Sequence, residues 1–260
     1  MNEERISFQG ISVCMATYNG EKYIAEQISS ILIQLSERDE LIIVDDCSSD
    51  LTRNIVASFN DQRIKLYIND KNYREVYSFS KAISQAKNAI VFLSDQDDIW
   101  NPGRVNLMLS AFIRSRASLL TSNFDWINSY GEQISIKYDG VHSLDSRRWC
   151  KNILDIYIGK TNYYGCAMLL RKDLLGFILP IPKYVESHDL WIAMAGNMSG
   201  SNLHIDQRTF KKRQHETNAT STISTRPTIS KIWSRVIFTI SLIHLLIRKL
   251  CVRRYISTHE

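Results

Sequence analysis

Hydrophobic positions in the first hundred residues alternate between two periods. Residues 11–16, ISVCMA, form a short apolar run, after which Ile24, Ile28, Ile31 and Leu35 recur at helical spacing. LIIVD at 41–45 predicts a second strand, and SSDLTRNIVASF follows as a helix with Ser49 or Asp50 at its N-cap. IKLYI at 64–68 is a third strand, VYSFSKAISQAK a third helix and IVFLS at 90–94 a fourth strand. Strands alternating with helices predict an α/β fold: a doubly wound, mostly parallel sheet with helices on both faces.

In such sheets ligands bind beyond the carboxyl ends of the strands. Strand one ends in Thr17-Tyr18-Asn19-Gly20, strand two in Asp45-Asp46-Cys47-Ser48-Ser49-Asp50 and strand four in Ser94-Asp95-Gln96-Asp97-Asp98. Neither G-x-G-x-x-G nor G-x-x-x-x-G-K-[ST] is present, so a phosphate bound here calls for a metal rather than a glycine-rich cradle. Asp95, Asp97 and Asp98 repel one another, and an unpaired carboxylate is costly to desolvate, so a cation is expected among them. An EF-hand fails, because Ile99 and Trp100 stand where a third oxygen ligand and a Gly are required. A phosphatase with an aspartyl nucleophile would fit Asp95-Gln96-Asp97, but its nucleophile usually follows the first strand, and here three strands come earlier.

At 260 residues and 44% hydrophobic content, the chain can bury one large core, alone or with an appendage. Five scattered cysteines suggest neither a disulfide framework nor a zinc site and fit a reducing cytosol. MNEERISFQG lacks an apolar run, so no cleaved signal peptide is expected. The net charge of +5 is uneven: ten basic residues from Lys211 onward face only Glu216 and Glu260. These cations bracket VIFTISLIHLLI at 236–247 rather than interleaving with aromatics, so nucleic acid is not indicated. A bilayer span takes about 20 residues. This twelve-residue run predicts instead an amphipathic helix on an anionic membrane surface, or a terminal helix packed on the core.

ISVCMATYNGEKYIAEQISSIL, LIIVDDCSSDLT and FLSDQDDIW, followed by ESHDLW (186–191) and KRQHETN (212–218), resemble in order and spacing the family 2 glycosyltransferases with the GT-A fold. The resemblance runs from about residue 10 to 216, and DQDDIW, HDLW and RQH are most similar to the bacterial surface-polysaccharide branch, with its rhamnosyl- and galactosyltransferases. It implies a GT-A domain over 1–220, with a nucleotide-sugar half at about 10–100 and an acceptor half at about 101–220. A basic helical tail over 221–260 completes the chain. The implied reaction moves a sugar from a nucleotide-diphospho-sugar to a hydroxyl of a glycan or lipid-linked oligosaccharide. It proceeds with inversion, uses Mg²⁺ or Mn²⁺, and takes place at the inner face of the cytoplasmic membrane.

Carried onto this sequence, the resemblance makes Asp97 the metal ligand and sets Asp95 between the ribose and the metal's water shell. Thr17, Tyr18 and Asn19 belong to the nucleotide side. Asp45 or Asp46 reads a uracil-like edge, while one of the pair holds a turn. Arg74 lies in Asn72-Tyr73-Arg74-Glu75, where the family often has Gly, within reach of the diphosphate. Arg213 and His215 meet diphosphate or metal, and Gly165-Cys166-Ala167 lets backbone approach the sugar. Asp189 is the base, at the start of a helix capped by Ser187 or His188. Asp98 is expected to cap the helix that begins near Pro102, and Trp100 to pack in the core. A nucleotidyltransferase would share the carboxylates but opens on a Gly-rich loop absent here, and a non-catalytic assembly protein would have no need of Asp97 and Asp189.

Overall fold

The computed structural model describes residues 10–137, 139–160, 163–215 and 228–257, with side chains described as far as 251. The first half alternates as its hydrophobic pattern predicts: β1 (Ile11–Thr17), α1 (Ile24–Leu32), β2 (Glu40–Asp45), α2 (Thr52–Ser58), β3 (Ile64–Ile68), α3 (Arg74–Ser84) and β4 (Ile90–Ser94). Then follow β5 (Ile99–Trp100), α4 (Arg104–Ser115), β6 (Leu119–Ile127), β7 (Gln133–Ile134), α5 (Trp149–Ile158), β8 (Met168–Arg171), α6 (Lys172–Ile178), α7 (His188–Met198), β9 (Asn202–Arg213) and α8 (Thr228–Ser257).

Among the described residues the strands form one sheet in the order β3-β2-β1-β4-β8-β6-β9-β5, with β7 on the side of β6. β3, β2, β1 and β4 are mutually parallel; β8 enters antiparallel to β4, and β9 runs parallel to β6 through irregular register. Side chains alternate across the sheet. Ile11, Val13 and Met15 of β1 therefore pack with α1 and α4, through Ile24, Ile28, Met108 and Phe112. Cys14 faces the other side, where Phe79 and Ile83 of α3 join Trp191 of α7. Each such fully buried large apolar side chain contributes about 1.5–3 kcal/mol.

Neither Ser49 nor Asp50 is the N-cap of α2, which is Leu51; Asp50, one residue earlier, accepts the backbone N–H of Thr52 at 3.0 Å and its hydroxyl at 2.5 Å. Asp98 does not cap α4; Gly103, at φ +80°, stands before that helix instead, and Asp98 is turned toward β9. Trp100 is buried against the guanidinium of Arg104, 4.6 Å from the ring centre.

The tail departs furthest from its sequence reading. α8 is thirty residues long, and its stretch Ile229–Cys251, with mean hydropathy 1.4, is long and apolar enough to cross a membrane. It lies along the domain: Ser234, Phe238, Ser241 and Leu245 are buried on one face. Arg248 donates to the carbonyls of Ile178 and Pro180 at 2.9 and 2.8 Å, and Lys249 donates to that of Met198. These two cations thus cap the ends of α6 and α7 rather than facing outward.

Candidate functional site

Antiparallel pairing of β5 with β9 sets Ile99 opposite Lys211 and Trp100 opposite Phe210, which lays the end of β9 beside the acidic turn after β4. The expected cation is there, supplied by the chain itself. Lys212 Nζ donates to Asp95 Oδ2 at 2.9 Å and lies 3.8 Å from Asp98 Oδ2 and 3.5 Å from Cys166 Sγ. Burial opposes ionisation of Asp95, but the Lys212 ammonium outweighs it and holds the carboxyl below its ordinary range. Asp98 behaves oppositely: burial, with Asp97 and Asp95 nearby, pushes it up to about 7 against the pull of Lys212. Its Oδ1 accepts the backbone N–H of Arg213 at 3.0 Å, and its buried Oδ2 has no hydrogen-bond partner among the described residues.

His215 Nε2 is 2.7 Å from Asp97 Oδ2, and its ring lies against Tyr23 with centroids 5.0 Å apart. Arg213 is buried as an anchor. Its guanidinium donates to Asp97 O at 2.9 Å, to Glu26 Oε2 at 2.6 Å and to Asn128 O at 3.3 Å, binding the acidic turn to α1 and to the β6–β7 turn.

At the end of β1, Gln96 clamps the expected nucleotide side. Its Oε1 accepts Thr17 Oγ1 at 2.5 Å and Tyr18 N at 2.9 Å, and its Nε2 donates to Tyr18 O at 3.2 Å, leaving the Tyr18 ring 47% exposed. Asn19 N donates to Ser48 Oγ, and Asn19 Oδ1 accepts Ser49 N, each at 2.9 Å, which ties this loop to the one after β2. Asp45, fully buried, accepts Ser48 N at 2.9 Å. Asp46 accepts Asn69 Nδ2 at 2.7 Å and the backbone N–H groups of Tyr73 at 2.9 Å and Arg74 at 2.7 Å. Those bonds hold Arg74 at φ +69°, a conformation glycine adopts at no steric cost, at the segment where the resembling family often carries one.

The third wall comes from α7. Ser187 caps it, its Oγ accepting Leu190 N at 3.4 Å, and Asp189 sits in the first turn, where the helix dipole favours a carboxylate. Asp189 Oδ1 lies 2.6 Å from His188 Nε2, and the His188 ring stacks on Phe79 at 3.9 Å between centroids. Gly165 is pressed against both: a Cβ there would lie 2.5 Å from Asp189 Oδ1 and 2.8 Å from His188 Nε2. Cys166 follows, in contact with Lys212, and so joins this wall to the acidic turn.

Two groupings bear on a metal. Asp95, Asp98 and Cys166 place three potential ligand atoms within 4.8 Å, but the Lys212 ammonium lies among them and burial pushes the Cys166 thiol well up. That trio does not suit a hard divalent cation, which wants anionic or neutral oxygens. Asp97 with His215 offers a carboxylate and an imidazole, a set that fits Mn²⁺ and, through the carboxylate, Mg²⁺. Lys212, Gln96 and His188 had no functional role in the sequence reading. Lys212 was the most discoverable, because a buried strand ending in Lys-Lys-Arg can answer a turn with three carboxylates.

The glycosyl transferase family 2 pattern matches residues 12–178. The UDP-Glc:alpha-D-GlcNAc-diphosphoundecaprenol beta-1,3-glucosyltransferase WfgD of Escherichia coli is 34% identical over 186 residues, 71% of this chain and 69% of that one. The dTDP-rhamnosyl transferase RfbG of Shigella flexneri is 26% identical over 219 residues, 78% of this chain and 72% of that one. In structure, S. aureus TarS 1–349 in complex with UDP-GlcNAc superposes with a TM-score of 0.69 at 20% identity, covering 89% of this chain and 66% of that one.

Proposed function

The chain belongs to glycosyl transferase family 2, and from that premise we propose that it transfers a sugar from a nucleotide-diphospho-sugar to a hydroxyl of a lipid-linked glycan during bacterial surface-polysaccharide assembly, with inversion. Membership of this family sets aside the nucleotidyltransferase and the non-catalytic reading. The observation that carries the mechanism is the meeting of three walls on one edge of the sheet: the Thr17–Asn19 loop, the Asp95–Asp98 turn and Asp189 at the head of α7.

In this reading Thr17, Tyr18, Asn19 and one of Asp45 and Asp46 serve the nucleotide, and Asp95 the ribose. Arg74, held through its backbone N–H by Asp46, is assigned to the diphosphate. Asp97 and His215 would hold Mg²⁺ or Mn²⁺, which when bound offsets charge developing on the departing diphosphate. The acceptor oxygen bonds to the anomeric carbon, the bond from that carbon to the diphosphate oxygen breaks, and Asp189 takes the hydroxyl proton. Gly165, by carrying no side chain, leaves room for the Asp189 carboxylate on the side given to the sugar. Arg213 supports the site as an anchor of the acidic turn.

We infer further that the protein works at the inner face of the cytoplasmic membrane, reached through α8. Ile229, Ile232, Trp233, Val236, Ile240 and Ile243 are exposed along the side of the helix opposite Phe238 and Leu245. Such an uncharged stripe suits a lipid surface, and WfgD is named for a diphosphoundecaprenol-linked acceptor.

The test is a panel of nucleotide sugars, UDP-glucose and dTDP-rhamnose among them, screened with Mn²⁺ for protection against thermal unfolding and then for turnover. Asp189→Asn is expected to keep the protection and to lose on the order of 10² or more in kcat. An Asp189→Asn protein with parental kcat would sink the assignment.

A further inference from the structure

His188 and Asp189 are neighbours in sequence whose polar atoms meet. Nε2 and Oδ1 are 2.6 Å apart, an ion contact rather than an aligned hydrogen bond; both are buried, and neither has a hydrogen-bond partner among the described residues. Two bare acceptors would repel at that separation, so the contact calls for a protonated imidazole beside the carboxylate. Three elements fix the pair. Phe79 of α3 stacks on the imidazole with 19° between planes, the backbone of Gly165 lies close against Nε2 and Oδ1, and Ser187 caps the helix that carries both.

We propose that His188 is the positioning residue of the base: its imidazole, in ion contact through Nε2 with Oδ1 of Asp189, holds that oxygen, so that the other carboxylate oxygen alone is presented to the acceptor hydroxyl. The inference rests on the reading of Asp189 as the base. It explains an otherwise costly placement, since an imidazole able to become a cation sits buried at the positive end of a helix. Burial lowers the pKa of His188, but Asp189, with Asp95 and Glu75 behind it, raises it above the ordinary imidazole value. The same carboxylates are the charged groups that face the ring from α7, from the turn after β4 and from α3. A free carboxylate would rotate and offer either oxygen. Held at one oxygen, it spends no ordering entropy at the moment of transfer.

The test uses the full chain and begins without substrate. In ¹⁵N-histidine spectra, His188 Nε2 is expected to carry a proton throughout pH 6–8, and Asp189→Asn to lower the imidazole's titration midpoint by about one unit or more. An Nε2 without a proton at pH 7, or a midpoint indifferent to Asp189→Asn, overturns the proposal. Kinetics with UDP-glucose and a GlcNAc-diphospholipid then compare His188→Phe, which keeps the stack on Phe79, with His188→Gln, which restores an N–H donor. His188→Phe is expected to lose about 10- to 100-fold in kcat at little change in donor KM, with the acid limb of its kcat profile moved to higher pH. His188→Gln should recover most of that loss. Equal losses in the two variants, tracking a lowered melting temperature, mean packing alone and refute the positioning role. If Asp189→Asn is inactive while His188→Phe is fully active, this inference falls alone; if Asp189→Asn is active, the base assignment falls and takes it along.

Discussion

Gly165 is the wall against which Asp189 rests: a methyl carbon added to its Cα would sit 2.5 Å from Oδ1 of that carboxylate. Real Cβ atoms do not approach so closely, and the neighbour that must yield is the proposed base. Gly165→Ala should therefore reduce kcat on the order of 10²-fold, because a displacement of about 1 Å at a reacting group costs that much. Steady-state kinetics beside a thermal melt check it; parental kcat would show that Asp189 can move aside without loss.

Asp97 and His215 hold each other at 2.7 Å, so a metal ion has to separate them. Asp97→Asn should abolish turnover with the melting temperature nearly unchanged, and chelation should silence the parent until Mn²⁺ or Mg²⁺ is restored. His215→Ala should raise the metal concentration needed for half-activity by roughly 10- to 100-fold. Metal titration of the initial rate gives the answer, and activity in excess chelator would exclude the metal role.

Lys212 neutralises Asp95 and Asp98 from a side chain only 8% exposed. Lys212→Met keeps the aliphatic bulk and removes the cation, leaving the buried Asp98 and the partly exposed Asp95 uncompensated. A loss of about 3 kcal/mol is expected from such half-removal. Urea unfolding at pH 7.5 measures it, and a change below about 0.5 kcal/mol would mean that surrounding water already carries the charge.

His204 gives a pH signature away from the site. Its Nδ1–H donates to His142 O at 3.2 Å, while Nε2 accepts from Tyr163 Oη at 3.0 Å and from Asn202 Nδ2 at 3.1 Å. Burial is the main cause that lowers its pKa from 6.5 to about 4. The folded state thus favours the neutral ring: the stabilisation is complete above pH 6.5 and is lost as pH falls toward 4. Over that window it amounts to roughly 3 kcal/mol. Unfolding free energies measured from pH 7 to 4 should fall less steeply in His204→Gln than in the parent; identical slopes would refute the account.

The stripe on α8 predicts how the protein meets lipid. Arg248 and Lys249 are turned inward, and Ile232, Ile240 and Ile243 outward. Co-sedimentation with phosphatidylglycerol vesicles should persist in high salt and drop at least tenfold when those three isoleucines become aspartate, with no change in melting temperature. Undiminished binding by the triple variant would leave the stripe without a lipid role.

The parallel half of the sheet was readable because apolar runs of five or six residues alternate with helical spacing, and each polar cluster after a strand lies where chain direction puts it. Long-range partners were less legible. That Asp98 meets the N–H of Arg213 rather than α4 depends on β5 pairing with β9 across more than a hundred positions, which no local pattern encodes. Lys212 shows the same limit: its position in the sequence gives a cation near the end of a strand, but only the fold gives it Asp95 and Asp98. α8 was read as a twelve-residue apolar run in a basic helix, on a membrane surface or packed on the core. Its outward face is apolar and its buried face carries Ser234 and Ser241 beside Phe238 and Leu245, so periodicity could not say which face packs.

Lys249 clasps the last turn of α7 while Asp189 rides on its first, so tail and proposed base share one rod of eleven residues, roughly 16 Å long. Lifting α8 off the domain strips the clasp from one end of that rod and loosens the other. In the proposed reading the tail would serve as a splint for α7, and loosening its seat is expected to loosen the aim of the Asp189 carboxylate.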